Sequence, residues 1–156
     1  MKSRRDFLKS SAALALCYSA GDVRRLLAHA DDDKTLNQLR NNLLQMVNEE
    51  RAVAKLSQLA IDALATEVAT RHAREMAQHR YVSHWNREGL KPYQRYSLAG
   101  GFHATQENIS AADNTWSSEL KDLEQDTSYL HLRLYNETPP NDGHRKAILA
   151  PQHTHV

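Results

Sequence analysis

The feature that most constrains this chain is an apolar stripe at helical spacing. Ile61, Leu64, Ala65, Val68, Ala69, His72, Ala73 and Met76 recur three or four residues apart, the signature of one buried helix face. Several members are alanine, so a neighbouring element can approach closely. A helix of this length gains most of its stability from packing and must find a partner layer. His72 lies on the stripe, where an imidazole is expected to be a hydrogen-bonded core residue rather than a ligand. Arg71, Arg74 and Glu75 fall off the stripe and are expected in solvent.

Other elements follow around that helix. Thr35-Leu36-Asn37-Gln38 fits a capping box, so a helix is expected to begin near Thr35. Leu36, Leu39, Leu43 and Val47 give it one face, and Asn48-Glu49-Glu50-Arg51 ends the run. Asp31-Asp32-Asp33 reads as a solvated lead-in. From Tyr81 to Gly101 the periodicity stops, punctuated by Gly89, Pro92, Gly100 and Gly101, with one helical turn at Pro92 to Tyr96. Ala104 to Ala111 reads as a strand. Asn114 to Tyr135 reads as a helix with Trp116, Leu120, Leu123, Leu130 and Leu134 inward. Pro139-Pro140-Asn141-Asp142-Gly143 makes a turn. His144 to Leu149 is a brief helical or irregular piece, and His153-Thr154-His155-Val156 starts a strand. Helices with a few short strands predict an α+β fold.

The N-terminus reads as a leader. Arg4 and Arg5, followed by Asp6-Phe7-Leu8-Lys9, match the twin-arginine export signal of bacteria. The apolar stretch from Ala12 to Leu16 is far shorter than the ~20 residues that span a bilayer. Ala28-His29-Ala30 places small residues where a signal peptidase needs them, so cleavage is expected after Ala30. This divides the chain into a leader, residues 1–30, and one domain, residues 31–156. Cys17, the single cysteine, falls in the leader, and Leu16 before it is too large for a lipoprotein site. The expected address is periplasmic or extracellular, with no transmembrane segment in the processed chain.

Charge narrows the partners. Of the 20 Lys and Arg and the 19 Asp and Glu, six and two lie before residue 31, so the remainder carries a net charge of −3. A basic surface for nucleic acid is not expected. The domain is long enough for one core.

Four residues in loops or at element edges carry the chemistry of interest: His84, Glu107, Glu137 and His144. Two imidazoles and two carboxylates suit Zn²⁺ or another divalent cation, with a water in an open position. They equally suit acid–base work around a bound substrate. No His-Glu-x-x-His helix or Cys-x-x-Cys pair is present. Ser83 beside His84 is no triad signal, because sequence neighbours do not set nucleophile–base geometry. His153 and His155 would share one face of a strand, as a solvated edge. Tyr81, Trp85, Tyr93, Tyr96 and Phe102 surround the loop and are expected mainly to cover the helices.

Five segments together resemble a known family. They are Asn48-Glu49-Glu50-Arg51, the Ala69–Met76 helix, Tyr81-Val82-Ser83-His84, Gln106-Glu107-Asn108-Ile109, and Gly143-His144-Arg145 through Ala150-Pro151. In this order they resemble the CAP superfamily of cysteine-rich secretory, antigen 5 and class-one pathogenesis-related proteins, in its cysteine-poor bacterial branch. The resemblance implies an α–β–α sandwich with a small antiparallel sheet and a shallow central cleft. The cleft would hold His84, Glu107 and His144, with Glu137 as the second acid, and in some relatives such a tetrad binds zinc. Because the family pattern continues beyond the matched His-Thr-His-Val, the last strand or strands are expected to be missing, leaving an edge open to association.

The leading expectation is therefore an exported ligand-binding module with a divalent-metal cleft and no assigned catalytic residue. Its ligand would be a small molecule, a lipid or an envelope component. A metal-assisted hydrolase of peptide, ester or envelope polymer, with Glu107 as base, is the alternative. A truncated product without function is a second.

Overall fold

The structure, a computed structural model, describes residues 10–17, 32–111 and 120–156. Arg4, Arg5, Ala28, Ala30 and Trp116, singled out above, lie outside those residues. In chain order the described elements are β1 (Ser10–Cys17), α1 (Asp32–Val53), α2 (Ala63–His79), α3 (Pro92–Leu98), β2 (Ala104–Ala111), α4 (Leu120–Tyr135), α5 (Gly143–Ile148) and β3 (His153–His155). The α+β class and the small sheet are as expected.

Helix α1 starts at Asp32, so Thr35 lies within it and the expected capping box does not mark its beginning. Leu39, Leu43 and Val47 form its buried face. Helix α2 is capped by Asp62, whose Oδ1 accepts from the backbone N–H of Leu64 at 2.8 Å and of Ala65 at 2.9 Å. Ile61 precedes that cap and is 44 % exposed, so it leaves the stripe assigned to it. Ala65, Val68, Ala69, His72 and Met76 keep it. The helix ends at Arg80, which adopts the left-handed conformation, φ 55°, and donates its N–H to the Met76 carbonyl.

The sheet departs from expectation in its direction and its membership. Its order is β2-β1-β3, and both pairings are parallel rather than antiparallel. Helices carry the chain from β1 to β2 and from β2 to β3, and crossovers of this kind return strands in the same direction. The central strand lies inside the segment read as a leader. Strand β3 also has a neighbour on its other side. Ala60 donates its N–H to Thr154 O at 3.1 Å and accepts from Val156 N at 2.8 Å. The open edge expected beside β3 is therefore filled among the described residues.

Two apolar clusters form the core, the first of them against β2. Ala69 and Met76 of α2 pack with Ile109 of β2. Val47 of α1, Leu134 of α4 and Ile148 of α5 pack with Leu59. Polar side chains of one α1 turn tie the second cluster to the rest. Asn48 exchanges two hydrogen bonds with the Leu59 backbone, at 2.7 and 3.0 Å. Glu50 Oε2 lies 2.9 Å from Nε2 of the buried His131 on α4. Arg51 is completely buried and donates to four carbonyls: Ser57 at 2.8 Å, Ile148 at 2.8 Å, Ala150 at 3.0 Å and His153 at 3.3 Å. No helix among the described residues is long and apolar enough to cross a membrane.

Replacing Arg51 with Met leaves several buried carbonyls without their donor. The expected loss is about 3–5 kcal/mol of stability, as for other broken buried networks. Urea unfolding of Arg51→Met and Arg51→Lys checks this; Lys keeps the charge but its compact ammonium cannot span the four acceptors.

Candidate functional site

His84 is set by the loop that follows α2. Buried His72 hydrogen-bonds the Ser83 carbonyl through Nε2 at 2.8 Å, as expected of a core imidazole. Glu75, expected in solvent, is instead half-buried. Its Oε1 accepts from the Tyr81 hydroxyl at 2.9 Å and the Arg87 backbone N–H at 2.8 Å. The loop turns back over the helix, which covers this residue despite its place off the stripe. Burial raises the Tyr81 phenol to about 12, helped by the Glu75 carboxylate. Ser83 Oγ accepts from the Trp85 N–H at 3.0 Å, so it serves the turn.

Glu107 meets this loop from β2. Its Oε2 is 3.0 Å from His84 Nδ1, and its Oε1 accepts from Arg95 at 2.6 Å. Arg95 also donates to the carbonyls of His84 at 2.8 Å and Leu90 at 2.9 Å. The Glu107 side chain is 2 % exposed and that of Arg95 8 %, so this is a buried ion pair beside a half-exposed imidazole. Helix α3, which carries Arg95, is anchored by the next residue. The buried Tyr96 donates its hydroxyl to Asp62 Oδ2 at 2.7 Å, and its ring occupies the space that a Cβ on Gly101 would need. Sequence reasoning missed Arg95 because no motif surrounds it and α3 is too short to show a face. Its place on the helical turn after the His84 loop was the available signal.

Glu137 and His144 close a second pair. Glu137 Oε1 is 2.6 Å from His144 Nδ1, and Oε2 accepts the His144 backbone N–H at 3.0 Å. The turn between α4 and α5 brings the two together. Burial pushes the Glu137 carboxyl up, but the hydrogen bonds from His144 outweigh it and hold the group below the usual carboxylate range. Asn108, next to Glu107, donates to the His144 carbonyl at 3.2 Å and joins β2 to α5.

All four residues line one open cleft of about 520 Å³, with Tyr93, Gln106, Asn108 and Asn141 among its other walls. The carboxylates stand beside the imidazoles, and no cluster of three or more His, Cys, Asp or Glu suited to a metal occurs among the described residues. A carboxylate that accepts from Nδ1–H fixes the tautomer and leaves the Nε2 lone pair for a ligand. This donor chemistry fits an ion or polar group held by two imidazoles, with the acids behind them.

Two expectations need correction. His153 is buried, not a solvated edge residue, because its face of β3 is covered by the buried Arg51 and the α5 segment around Ala147. Of the loop aromatics only Tyr96 is buried, with Tyr81 half-covered, whereas Trp85, Tyr93 and Phe102 are exposed. Tyr93 borders the cleft, and the Lys91 ammonium sits 4.6 Å from the Trp85 ring centre.

Burial holds the His72 imidazole below its ordinary range, against the opposing pull of the Ser83 carbonyl. The unfolded chain therefore binds a proton first as pH falls. Stability from this residue is complete above about pH 6.5 and declines as pH drops through that value. Urea midpoints between pH 7.5 and 5.5 are expected to fall, and His72→Gln, which keeps a donor for Ser83, is expected to flatten the slope. His153 adds to the slope in the same sense, lowered by burial and by the Arg51 cation.

Comparison with known families places this architecture. The profile of the cysteine-rich secretory protein family, CAP, matches residues 44–156, well over half of the chain. Neither the curated proteins nor the solved structures give a significant match. The matched span contains His84, Glu107, Glu137 and His144 and every helix and strand from α2 onward. The chain belongs to the CAP family.

Proposed function

We propose that this protein is an exported binding module whose cleft takes a small polar ligand between two carboxylate-held imidazoles, with Zn²⁺ or another divalent cation as the group they hold. One observation carries the reading: His84 and His144 line the same cleft, and each has Nδ1 engaged by its own carboxylate. That arrangement is how proteins orient imidazoles for a metal. The cation would supply a Lewis-acidic point for an oxygen of the ligand. Polar side chains such as Gln106, Asn108 and Asn141 stand among mostly apolar walls, and the cleft falls in the size range of small-molecule sites. Binding is favoured over hydrolysis because both carboxylates already accept hydrogen bonds on each oxygen. A general base for water would first have to give one up.

Calorimetry of the full chain with Zn²⁺ is expected to show a single class of site that His84→Ala with His144→Ala abolishes. Glu107→Gln or Glu137→Gln is expected to weaken it by about 10–100-fold, the usual effect of removing a residue behind a metal ligand. Unchanged binding in the double His variant refutes the proposal for the cation.

The proposed address is extracytoplasmic. It rests on Arg4-Arg5, the apolar run and Ala28-His29-Ala30, read as a twin-arginine leader. Arg4→Lys with Arg5→Lys is expected to keep the protein in the cytoplasm, measured by cell fractionation. N-terminal sequencing of the exported wild-type product is expected to begin at Asp31.

A further inference from the structure

The sheet contains a segment that the leader reading would remove. Strand β1 pairs with β2 along its whole length, from Ser10 opposite Ala104 to Cys17 opposite Ala111. Its other side meets β3 at His153 and His155. In the order β2-β1-β3 the outer strands do not pair with each other; they meet only through β1. Helix α2 lies against β1 as well. Ala13 is the register partner of Glu107, so the inserted strand runs directly beside the residue that holds His84.

We propose that Ser10–Cys17 is a removable strand. In the unprocessed chain it completes the sheet in cis, and excision of the leader opens the slot between β2 and β3. The proposal rests on the reading of residues 1–30 as a leader.

The physical case is one of backbone accounting. A central strand satisfies N–H and C=O groups on both its neighbours, and buried groups of this kind rarely go without partners. β2 has no other strand beside it in the described sheet, whereas β3 keeps its bonds to Ala60. Loss of β1 therefore falls hardest on β2, the strand that carries Glu107 and Asn108. The same apolar stretch then has two uses. It serves the export machinery as a leader, and before removal it holds the cleft-bearing strand in place. Processing changes the sheet next to the site.

Cys17 supplies a test, being the single cysteine of the chain and the register partner of Ala111. Neighbouring strands bring such partners within the Cα separation that a disulfide spans. Full-length Ala111→Cys, oxidised with copper phenanthroline and mapped by mass spectrometry, is expected to form an intrachain disulfide between Cys17 and the introduced cysteine. Thr105→Cys, whose register partner is Ser11, is expected to form none. If Ala111→Cys gives no intrachain link, with both thiols open to maleimide, or links only between chains, the proposal falls.

Hydrogen exchange makes the test independent of that variant's folding. In the unaltered full chain the amides of Ala104–Ala111 are expected to exchange about a hundredfold more slowly than in Ala13→Pro, which removes a donor and strains the ladder at its centre. Equal exchange overturns the proposal. Either result is separable from the leader reading itself, which stands or falls on the N-terminal sequence of the exported product.

Discussion

The buried guanidinium of Arg51 is the constraint on which the rest of the domain depends. A cation without a carboxylate partner is costly to remove from water, and burial lowers its affinity for the proton. Hydrogen bonds to four backbone carbonyls offset that cost. Three of the acceptors, Ile148, Ala150 and His153, belong to the last part of the chain and would otherwise lack a common anchor. Asn48 and Glu50 extend the same turn of α1 to Leu59 and His131. One helical turn thereby organises the loop before α2, the buried face of α4 and the segment from α5 into β3. The position of His144 follows, since it stands at the start of the helix whose last residue Arg51 holds.

The cleft is built in two halves, each closed on itself. Arg95 fastens one by holding Glu107 and the His84 carbonyl together, and the turn before α5 fastens the other. Asn108 crosses between them. A long chain of dependence runs behind the first half: Asp62 caps α2, holds Tyr96, and so sets the helix that presents Arg95. Residues far from one another in sequence meet here through side-chain bonds, some to backbone, as from Arg95 to the His84 carbonyl, and some to other side chains, as from Tyr96 to Asp62 and from Arg95 to Glu107.

The parts legible in the sequence were those with a local physical signal. Spacing of three and four gave α2 its buried face, and the bounds of β2 came out as the structure has them. The four cleft residues were found through motif order rather than through spacing. What stayed hidden was non-local. Strand direction depends on crossovers, so the parallel sheet could not be read from three short segments. Arg95 carries no motif, and its role arises only when α3 folds against β2. Glu75 looked solvated because helical periodicity does not see a loop returning over a helix. The start of α1 was misplaced because a capping pattern such as that of Thr35 and Gln38 can also occur inside a helix, whose boundary is set by backbone the pattern does not see. The pairing of Ser10–Cys17 was masked by its composition, since an apolar stretch behind two arginines has the same signature in a leader as in a strand.

The two His–Glu pairs have one more consequence, which concerns entropy. An exposed imidazole samples several rotamers, and a ligand that binds it must freeze them. In this cleft Glu107 and Glu137 have already fixed both rings through Nδ1, at a cost borne when the chain folds. The proposed ligand, arriving between His84 and His144, would meet rings whose direction is set in advance. For the ligand proposed above, preorganisation would then contribute to affinity alongside the contacts themselves.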